Sequence, residues 1–335
     1  MKLSASIYSN KEQNLEKVVE ELDEHNIDYL HIDCSDDDSV FEDIQRIRQV
    51  SSTPIDLHLI TDKPEQYFDK IEASQPELVC FQYENLTNVP QFPTNGYTRY
   101  GIAISSETPY EVFKDFQDQC SFILFMTTTP GESGGRFNRE NFQKIRHFRQ
   151  RYPGVQIHVD GGVNEEVSFI LRNMGVHTAV TGSYLMRASS YGKALLHLKS
   201  DHNASHFQVK DFMLDRSESP VITKQNPQFN DVLHSIEHYG MAFTLICRND
   251  DTLVGLISNA DVRKGMIRHI DDLNNMSVDE LINRNPAVVK ANNTVEEMLN
   301  KIKNLPFPVL YLPVVNDKLQ VVGVVKFNNL IKGES

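Results

Sequence analysis

The chain has 335 residues, which is more than one small domain needs and fits roughly two domains of ~100–200 residues each. Its 33 lysines and arginines against 46 aspartates and glutamates leave a net charge of −13, with a pI near 5.4. So acidic a chain lacks the electrostatic attraction for nucleic acid, and an anionic membrane surface would repel it. Hydrophobic residues make up 40% of the chain, which argues against wholesale disorder.

The cysteines and the N-terminus indicate the compartment. The four cysteines lie far apart with no Cys-x-x-Cys pair, which argues against a disulfide framework or a zinc ribbon and indicates a reducing compartment. The N-terminal segment MKLSASIYSN has no apolar region of a secretory signal, and no apolar run approaches the ~18 residues of a membrane span. We expect a cytoplasmic protein with neither nucleic-acid nor membrane partners, and a homo-oligomer.

Short apolar runs alternate with amphipathic stretches from residue 1 to 199, and this alternation predicts βαβ units with a parallel sheet. Eight runs in ~200 residues predict a closed (β/α)₈ barrel. A doubly wound open sheet is the competing fold, but it requires a Gly-rich loop after the first strand, where Tyr8-Ser9-Asn10 stand. The predicted strands are Leu3–Ile7, Tyr29–Asp33, Ile55–Ile60, Leu78–Gln82, Tyr100–Ile104, Phe122–Thr127, Gln156–Asp160 and Thr178–Thr181.

The pattern changes after residue 199. Residues 200–207, SDHNASHF, are polar and are predicted to be a linker. Residues 208–335 contain a weak internal repeat, in which each copy has a Pro-led strand, an amphipathic helix, two strands around a turn and a short helix. Two such copies predict a second α/β domain built as a face-to-face pair.

Polar side chains cluster where three barrel strands end, which is the face on which barrels carry their active sites. Strand alternation puts the members of each pair on one face. The pairs are His31 with Asp33, Asp56 with His58, and His158 with Asp160. Two histidines with two carboxylates suit one divalent metal such as Zn, Fe, Mn or Co. Asp56 and His158 lie one layer deeper and are expected to support the site or to be satisfied core residues.

Glycine-rich loops follow the last three barrel strands and predict a phosphate site, because backbone N–H groups there can face an anion. One tight turn would explain any single glycine pair, but three consecutive loops favour the phosphate. Together with the metal set they suggest a phosphorylated sugar as ligand. The residues are Gly131, Gly134 and Gly135 after strand 6, Gly161 and Gly162 after strand 7, and Gly182 with Ser183 after strand 8.

These motifs resemble the ribulose-phosphate 3-epimerase family along the whole barrel and in family order. They are SASIYS, YLHID, PIDLHL followed by KPEQY, GIAISSETP, FMTTTPGESGGRF, VDGGV and TGSYL. The resemblance implies a metal-dependent proton transfer at the carbon next to a ketone, through an enediolate. It implies Asp33 and Asp160 as the acid/base pair, and one metal held by His31, Asp33, His58 and Asp160. Substrate contacts are implied for Ser6, Met126, Gly134, Gly135, Gly161, Gly162, Gly182 and Ser183.

The chain departs from the family pattern around the substrate. After HID the family has a methionine and a turn with Gly and His, where Cys34-Ser35-Asp36-Asp37-Asp38 stand. Ile60 replaces a second methionine, strand 4 ends Gln82-Tyr83-Glu84 where the family usually has His-x-Glu, and PGESGG is one residue longer. These changes leave two outcomes open: a different phosphorylated ketose, or weakened catalysis.

The repeated second half resembles a tandem pair of CBS (cystathionine β-synthase-like) domains, in the segments VGLISNADV and VGVVKFNNL. The resemblance implies adenine-nucleotide binding (AMP, ADP or ATP) through Ser258 and Asp261, which follow Gly255 in the first copy. The second copy has Lys326 and Asn329 at the corresponding positions, and Asn329, which can still bond a hydroxyl, is implied as a further nucleotide contact. Arg263 and Lys264 are candidates for phosphate contacts or a solvated helix face. A structural role in dimerisation is the alternative for this domain.

Two functions from different classes therefore remain for the whole chain. The first is a metal-dependent ketose-phosphate 3-epimerase with a nucleotide-binding regulatory domain. The second is a non-catalytic sensor of sugar phosphate and nucleotide, which the altered residues at Ser35, Asp37, Asp38 and Ile60 would suit. The complete set of predicted metal and acid/base residues favours the enzyme.

Overall fold

The fold was determined from a computed structural model, which describes residues 1–9, 13–94, 96–128, 134–199, 207–273, 276–305 and 309–327. The chain divides into two compact units, whose described parts are residues 1–199 and 207–327. Phe207, at the end of the predicted linker, is buried, and its carbonyl accepts a hydrogen bond from the Val295 N–H. The remainder of that linker and Asn329 lie outside the described residues.

The first unit is a closed barrel of eight parallel strands in sequential order, so the predicted (β/α)₈ fold is confirmed. Each strand pairs with the next along the chain, and the eighth pairs with the first. Strand ends differ from the predicted ones by one residue at most, as where Ile7 begins a 3₁₀ turn instead of ending strand 1. The strands are β1 Lys2–Ser6, β2 Tyr29–Cys34, β3 Ile55–Leu59, β4 Leu78–Gln82, β5 Arg99–Ile104, β6 Phe122–Met126, β7 Gln156–Asp160 and β8 Thr178–Thr181.

Helices follow most of the strands, and their apolar faces cover the barrel. In the first helix Val18, Val19 and Leu22 are buried at helical spacing, and the Asn14 side chain accepts a hydrogen bond from the Lys17 N–H to begin the helix. The helices of this unit are α1 Leu15–Glu24, α2 Ser39–Val50, α3 Phe68–Ser74, α4 Glu140–Arg151, α5 Glu165–Asn173, α6 Ser183–Met186 and α7 Tyr191–Lys199. Short 3₁₀ turns at Tyr83–Asn85 and Tyr110–Asp115 follow β4 and β5.

Apolar side chains fill the barrel interior, and the polar residues at the C-terminal strand ends pack against them. Tyr29, Leu78, Phe122 and Leu124 belong to one buried cluster inside the barrel, together with Met126, which is 4% exposed. A packed interior of this kind holds the strands in register. The strand ends are therefore rigid positions for side chains that carry chemistry.

A buried histidine in this interior is expected to make the stability of the barrel depend on pH. Burial lowers the pKa of His158 to about 3, and its ring stacks on Phe122 with 4.3 Å between ring centroids. A histidine in the unfolded chain has a pKa of ~6.5. The contribution of His158 to the free energy of unfolding is therefore complete above that pH, and it is lost as the pH falls toward the pKa of the folded state. We expect acidification from pH 7 to 5 to lower the free energy of unfolding, and we expect this loss to be about 1–2 kcal/mol smaller in His158→Phe than in the unaltered protein.

Urea unfolding followed by circular dichroism at the two pH values measures this difference. The phenylalanine keeps an aromatic ring against Phe122 and removes only the titration. Equal losses of stability in the two proteins would contradict the assignment of the pH dependence to His158.

The second unit contains two sheets that repeat one arrangement. In each sheet a short strand pairs in parallel with the middle strand, which pairs antiparallel with the last, and both antiparallel pairs shift register at the same point. The strand Leu214–Asp215 adds to the edge of the second sheet. The strands are β9 Leu214–Asp215, β10 Val221–Ile222, β11 Phe243–Cys247, β12 Leu253–Ser258, β13 Val289–Lys290, β14 Tyr311–Val315 and β15 Val321–Lys326. The helices are α8 Val209–Phe212, α9 Phe229–Tyr239, α10 Asn259–Arg268 and α11 Val295–Lys303.

Among the described residues no helix combines the length and the apolar character that crossing a membrane requires. All four cysteines are buried free thiols.

Candidate active site

The register between β2 and β3 brings four of the predicted side chains into two pairs. His31 stands opposite Asp56, and Asp33 stands opposite His58. The His31 Nδ1 lies 2.9 Å from the Asp56 Oδ2, and the His58 Nδ1 lies 3.1 Å from the Asp33 Oδ1. Because residues two apart point to the same face of a strand, all four side chains share the interior face at the barrel's C-terminal end.

Side chains from two strands, β2 and β7, converge on one nitrogen atom of this group. The His31 Nε2 lies 3.3 Å from the Asp33 Oδ1 and 3.9 Å from the Asp160 Oδ2, which β7 supplies. One donor atom each from His31, Asp33 and His58 lie within 4.8 Å of one another. The two histidine side chains are fully buried, whereas those of Asp33 and Asp160 are 40% and 19% exposed. The carboxylates are thus the part of the group that a ligand can reach.

Asp56 determines which nitrogen of His31 faces the site. Its Oδ2 receives a hydrogen bond from the Ser4 hydroxyl at 2.8 Å and lies against the His31 Nδ1. A carboxylate accepts hydrogen bonds only, so the Nδ1 carries a proton, and the Nε2 is the ring nitrogen left to bind a second proton or a metal cation. Among the described residues this buried Nε2 has no hydrogen-bond partner. A buried lone pair without a partner, next to two carboxylates, fits a bound cation.

The donor set also suits the predicted metals. Two imidazole nitrogens and two carboxylate oxygens match Zn²⁺, Fe²⁺, Mn²⁺ or Co²⁺, and the hydrogen bonds of His31 to Asp56 and of His58 to Gln82 orient both rings from behind. His31, Asp33 and His58 form the group that could hold a divalent cation, and Asp160, whose Oδ2 lies 3.9 Å from the His31 Nε2, is the fourth predicted ligand.

The two carboxylates differ in proton affinity because their surroundings differ. Burial raises the pKa of Asp160 to about 6, and the negative charge of Asp33 adds to the shift while His31 opposes it. Burial also disfavours the charge of Asp33, but the neighbouring His31 and His58 outweigh this effect and lower its pKa. Neighbouring acids with pKa values pushed apart are what a proton donor and a proton acceptor require.

The predicted glycines come together on the side of the barrel formed by β1, β7 and β8. A Cβ atom on Gly182 would lie 2.5 Å from the Ser9 Oγ and 3.5 Å from the Ser6 Cβ. The hydroxyls of Ser6 and Ser9 are 3.1 Å apart. Gly134 approaches the Ser183 side chain, since a Cβ there would stand 3.7 Å from its Oγ. Ser6, Gly182, Ser183 and Gly134 are thus neighbours.

Gly161 and Gly162 allow the loop after β7 to pass close to the loop after β6. Both residues have a positive φ, of 110° and 64°, which side-chain-bearing residues rarely adopt. A Cβ on Gly161 would lie 2.4 Å from the Thr128 Oγ1, and one on Gly162 would lie 2.3 Å from the Phe137 backbone nitrogen. Gly135 also abuts the Thr128 side chain. Gly131 lies outside the described residues.

Met126 is the remaining predicted substrate contact in the barrel. It ends β6 opposite Asp160 and is buried within the interior cluster. Its thioether therefore lies beside the polar group as part of the apolar wall.

In the second unit, the two described residues of the predicted nucleotide site are hydrogen-bonded to each other. The Ser258 N–H and hydroxyl both donate to the Asp261 Oδ2, at 3.0 and 2.6 Å, and the Asp261 N–H donates to the Ser258 Oγ at 3.2 Å. This reciprocal capping box begins α10. Arg263 and Lys264 are exposed on the same helix. Gly255 leaves no room for a Cβ, which would lie 2.5 Å from the Asn283 carbonyl oxygen.

Several supporting residues were not predicted from the sequence. Ser4 and Ser6 are two residues apart on β1, so the spacing that puts His31 and Asp33 on one face also puts Ser4 on the same face as Ser6. Ser9, Gln82 and Glu84 act through contacts between separate strand ends, which no local pattern predicts. Gln82 and Glu84 belong to a segment in which the sequence departs from the family pattern.

Comparison with known proteins finds matches in each half of the chain. The sequence model described as the ribulose-phosphate 3 epimerase family matches residues 2–186, and that of the CBS domain matches residues 278–334. The ribulose-phosphate 3-epimerase of Schizosaccharomyces pombe is 26% identical over 208 residues, covering 56% of this chain and 88% of that protein. The enzyme of the same name from Helicobacter pylori is 28% identical over 201 residues, covering 56% of this chain and 92% of its own. Among solved structures, CBSX2 in complex with AMP covers 38% of this chain and 94% of its own, with 22% identity and a TM-score of 0.32.

Proposed function

The chain belongs to the ribulose-phosphate 3-epimerase family through residues 2–186, and from this premise we propose that its barrel is a metal-dependent 3-epimerase of a phosphorylated ketose. The observation that carries the proposal is the buried Nε2 of His31, which lies between the carboxylates of Asp33 and Asp160 and makes no hydrogen bond with any of the described residues. The family match supports the reaction class, and this geometry supports the metal and the proton-transfer pair.

Inversion of a carbon next to a ketone needs one group to remove a proton and another to return one to the opposite face. In the proposed reaction one of Asp33 and Asp160 takes the proton from the substrate, leaving an enediolate, and the other supplies the new one. Their unequal pKa values suit this division, because Asp160 retains a proton at a pH at which Asp33 is ionised. When bound, a divalent cation supplies charge stabilisation for the developing oxyanion.

The phosphate of the substrate is proposed to lie against the glycine cluster. Ser6 and Ser183 offer hydroxyls there, and the backbone N–H groups of Gly134, Gly161, Gly162 and Gly182 are the other proposed phosphate contacts. Met126 and the apolar wall around it exclude water from the reacting carbon.

Filling the space above Gly182 is expected to weaken substrate binding more than turnover. A Cβ at position 182 would lie 2.5 Å from the Ser9 Oγ, so Gly182→Ala would displace the Ser9 hydroxyl. We expect KM for the ketose phosphate to rise about tenfold, equivalent to ~1.4 kcal/mol of binding, with a smaller change in kcat. Steady-state kinetics measure both constants.

Gly154→Ala is the matched control, because no atom lies within 4 Å of a Cβ at that position. A Gly182→Ala protein with the KM of this control would contradict the placement of the phosphate.

For the second unit we propose adenine-nucleotide binding that regulates the barrel. The CBS-domain match and the repeated two-sheet arrangement support it. Ser258 and Asp261 would exchange part of their capping box for ribose hydroxyls, so nucleotide binding and the start of α10 would be coupled. Isothermal titration with AMP and with ATP tests binding, and turnover with and without the nucleotide tests regulation. The free cysteines are consistent with the cytoplasm as the proposed location.

The second candidate function is a non-catalytic sensor of sugar phosphate. The loop after β2 favours it, because Cys34 and exposed acidic residues occupy the positions of the family's methionine and glycine turn. A screen of ketose phosphates for epimerisation, with metal content measured on the same sample, separates the two. Turnover of any ketose phosphate supports the enzyme, whereas tight binding without turnover supports the sensor.

A further inference from the structure

The ends of β4 and β5 hold His58 from the side opposite the proposed metal. The His58 Nε2 lies 2.8 Å from the Gln82 Oε1, and the Gln82 Nε2 donates a hydrogen bond to the Glu84 Oε2. Gln82 is buried, at 2% exposed, so its amide has no water to turn toward. We propose that Gln82, locked by Glu84, is a positioning residue that fixes the tautomer of His58 so that Nδ1 is its metal-binding nitrogen. The inference rests on the proposed metal-dependent function.

The direction of this chain of hydrogen bonds follows from Glu84. Its Oε1 receives the Ser105 N–H at 2.8 Å and the Thr108 hydroxyl, so Glu84 serves as the acceptor for the loop after β5. An ionised carboxylate has no hydrogen to donate, and Gln82 must therefore turn its NH₂ group toward it. This orientation is fixed by chemistry, although the two ends of an amide have almost the same shape.

The orientation of the Gln82 amide determines the tautomer of His58. With its NH₂ group on Glu84, Gln82 presents the carbonyl oxygen to the His58 Nε2, which must carry a hydrogen. The neutral ring then has its lone pair on Nδ1, which faces the Asp33 Oδ1 at 3.1 Å. Two electron pairs at this separation repel each other unless a proton or a metal cation lies between them.

His31 and His58 are thus held in opposite tautomers around one site. Asp56 accepts from the Nδ1 of His31 and leaves its Nε2 for the cation, whereas Gln82 accepts from the Nε2 of His58 and leaves its Nδ1. Both free nitrogens lie close to one oxygen, since the Asp33 Oδ1 is 3.3 Å from the His31 Nε2 and 3.1 Å from the His58 Nδ1. Residues that orient metal ligands in this way typically contribute about 10–100-fold to metal affinity.

The test compares Zn²⁺ affinities of full-length variants, measured by chelator competition. Glu84→Gln removes the accept-only group, so Gln82 can reverse and the His58 tautomer is released. Gln82→Leu removes the acceptor for the His58 Nε2. We expect each to lower Zn²⁺ affinity by about 10–100-fold. Gln82→His, which can donate to Glu84 and accept from His58, should restore most of the affinity. Thr108→Val is the matched control, since it removes a contact of Glu84 and leaves the carboxylate and Gln82 intact.

The His58 tautomer provides a readout that general loosening of the loop would not change. In protein labelled with ¹⁵N-histidine, the His58 signals are identified by their loss in His58→Gln. Long-range ¹H–¹⁵N spectra should show an Nε2-protonated ring in the unaltered protein and in Thr108→Val, and a mixed or reversed ring in Glu84→Gln. An Nδ1-protonated His58 in the unaltered protein, or wild-type Zn²⁺ affinity in both Glu84→Gln and Gln82→Leu, would overturn the inference. If the unaltered protein binds no divalent metal, the proposed function fails instead.

Discussion

Asp33→Asn and Asp160→Asn are each expected to reduce kcat by about 10²–10⁴-fold, because an amide cannot exchange a proton with the substrate carbon. The two residues come from β2 and β7 and approach the same nitrogen of His31 at 3.3 and 3.9 Å. Neither can replace the other, since inversion needs one group for removal of the proton and one for its return. Steady-state turnover of a ketose phosphate measures the loss.

Both aspartates are also proposed metal ligands, so metal content must be determined on each variant. The asparagine side chain still offers an oxygen, and turnover should be lost even in preparations that retain metal. Asp62→Asn is the matched control, because Asp62 is an exposed carboxylate in the loop after β3. Substantial turnover in either Asp33→Asn or Asp160→Asn, with unchanged circular dichroism, would rule out the two-carboxylate mechanism.

Withdrawal of the metal is expected to abolish turnover and to destabilise the barrel together. A bound cation would occupy the buried His31 Nε2 and offset the repulsion between the Asp33 and Asp160 carboxylates, and a chelator removes both effects. Restoring a divalent metal at ~100 times its Kd should raise the free energy of unfolding by about 2.7 kcal/mol.

Thermal unfolding of the chelator-treated protein, with and without added Mn²⁺ or Zn²⁺, measures this stabilisation, and turnover is assayed on the same samples. In His58→Gln the stabilisation should be much smaller at the same metal concentration. Full turnover in protein shown to contain no metal would exclude a metal-dependent reaction.

The barrel and the central polar group were predictable because both follow from short-range patterns. Alternating strands and helices predict the barrel order, and period-two spacing places His31 with Asp33 on the face that the strand ends share. The register of β2 against β3 then pairs Asp33 with His58 and His31 with Asp56. The glycines at 161 and 162 mark a turn with positive φ for the same local reason.

The supporting hydrogen bonds were not predictable, because they join residues whose proximity depends on the closed barrel. Glu84 bonds to Ser105 and Thr108 across two strand ends, and Gln82 reaches His58 across the β3–β4 boundary. In the second unit, the sequence motif indicates a nucleotide site, but the same spacing also makes Ser258 and Asp261 a capping box. A spacing of three residues is compatible with both roles, and the structure shows that the two residues form the capping box.

Incorporation of solvent deuterium into a ketose phosphate tests the central claim most directly. The protein, loaded with divalent metal, is incubated with D-ribulose 5-phosphate in D₂O, and the sugar is followed by NMR. An epimerase that uses Asp33 and Asp160 should replace the hydrogen on C3, the stereogenic carbon next to the ketone, with deuterium while the second epimer appears. Asp33→Asn and Asp160→Asn should show neither change. Tight binding of the sugar with no deuterium at that carbon would contradict the epimerase and support the sensor.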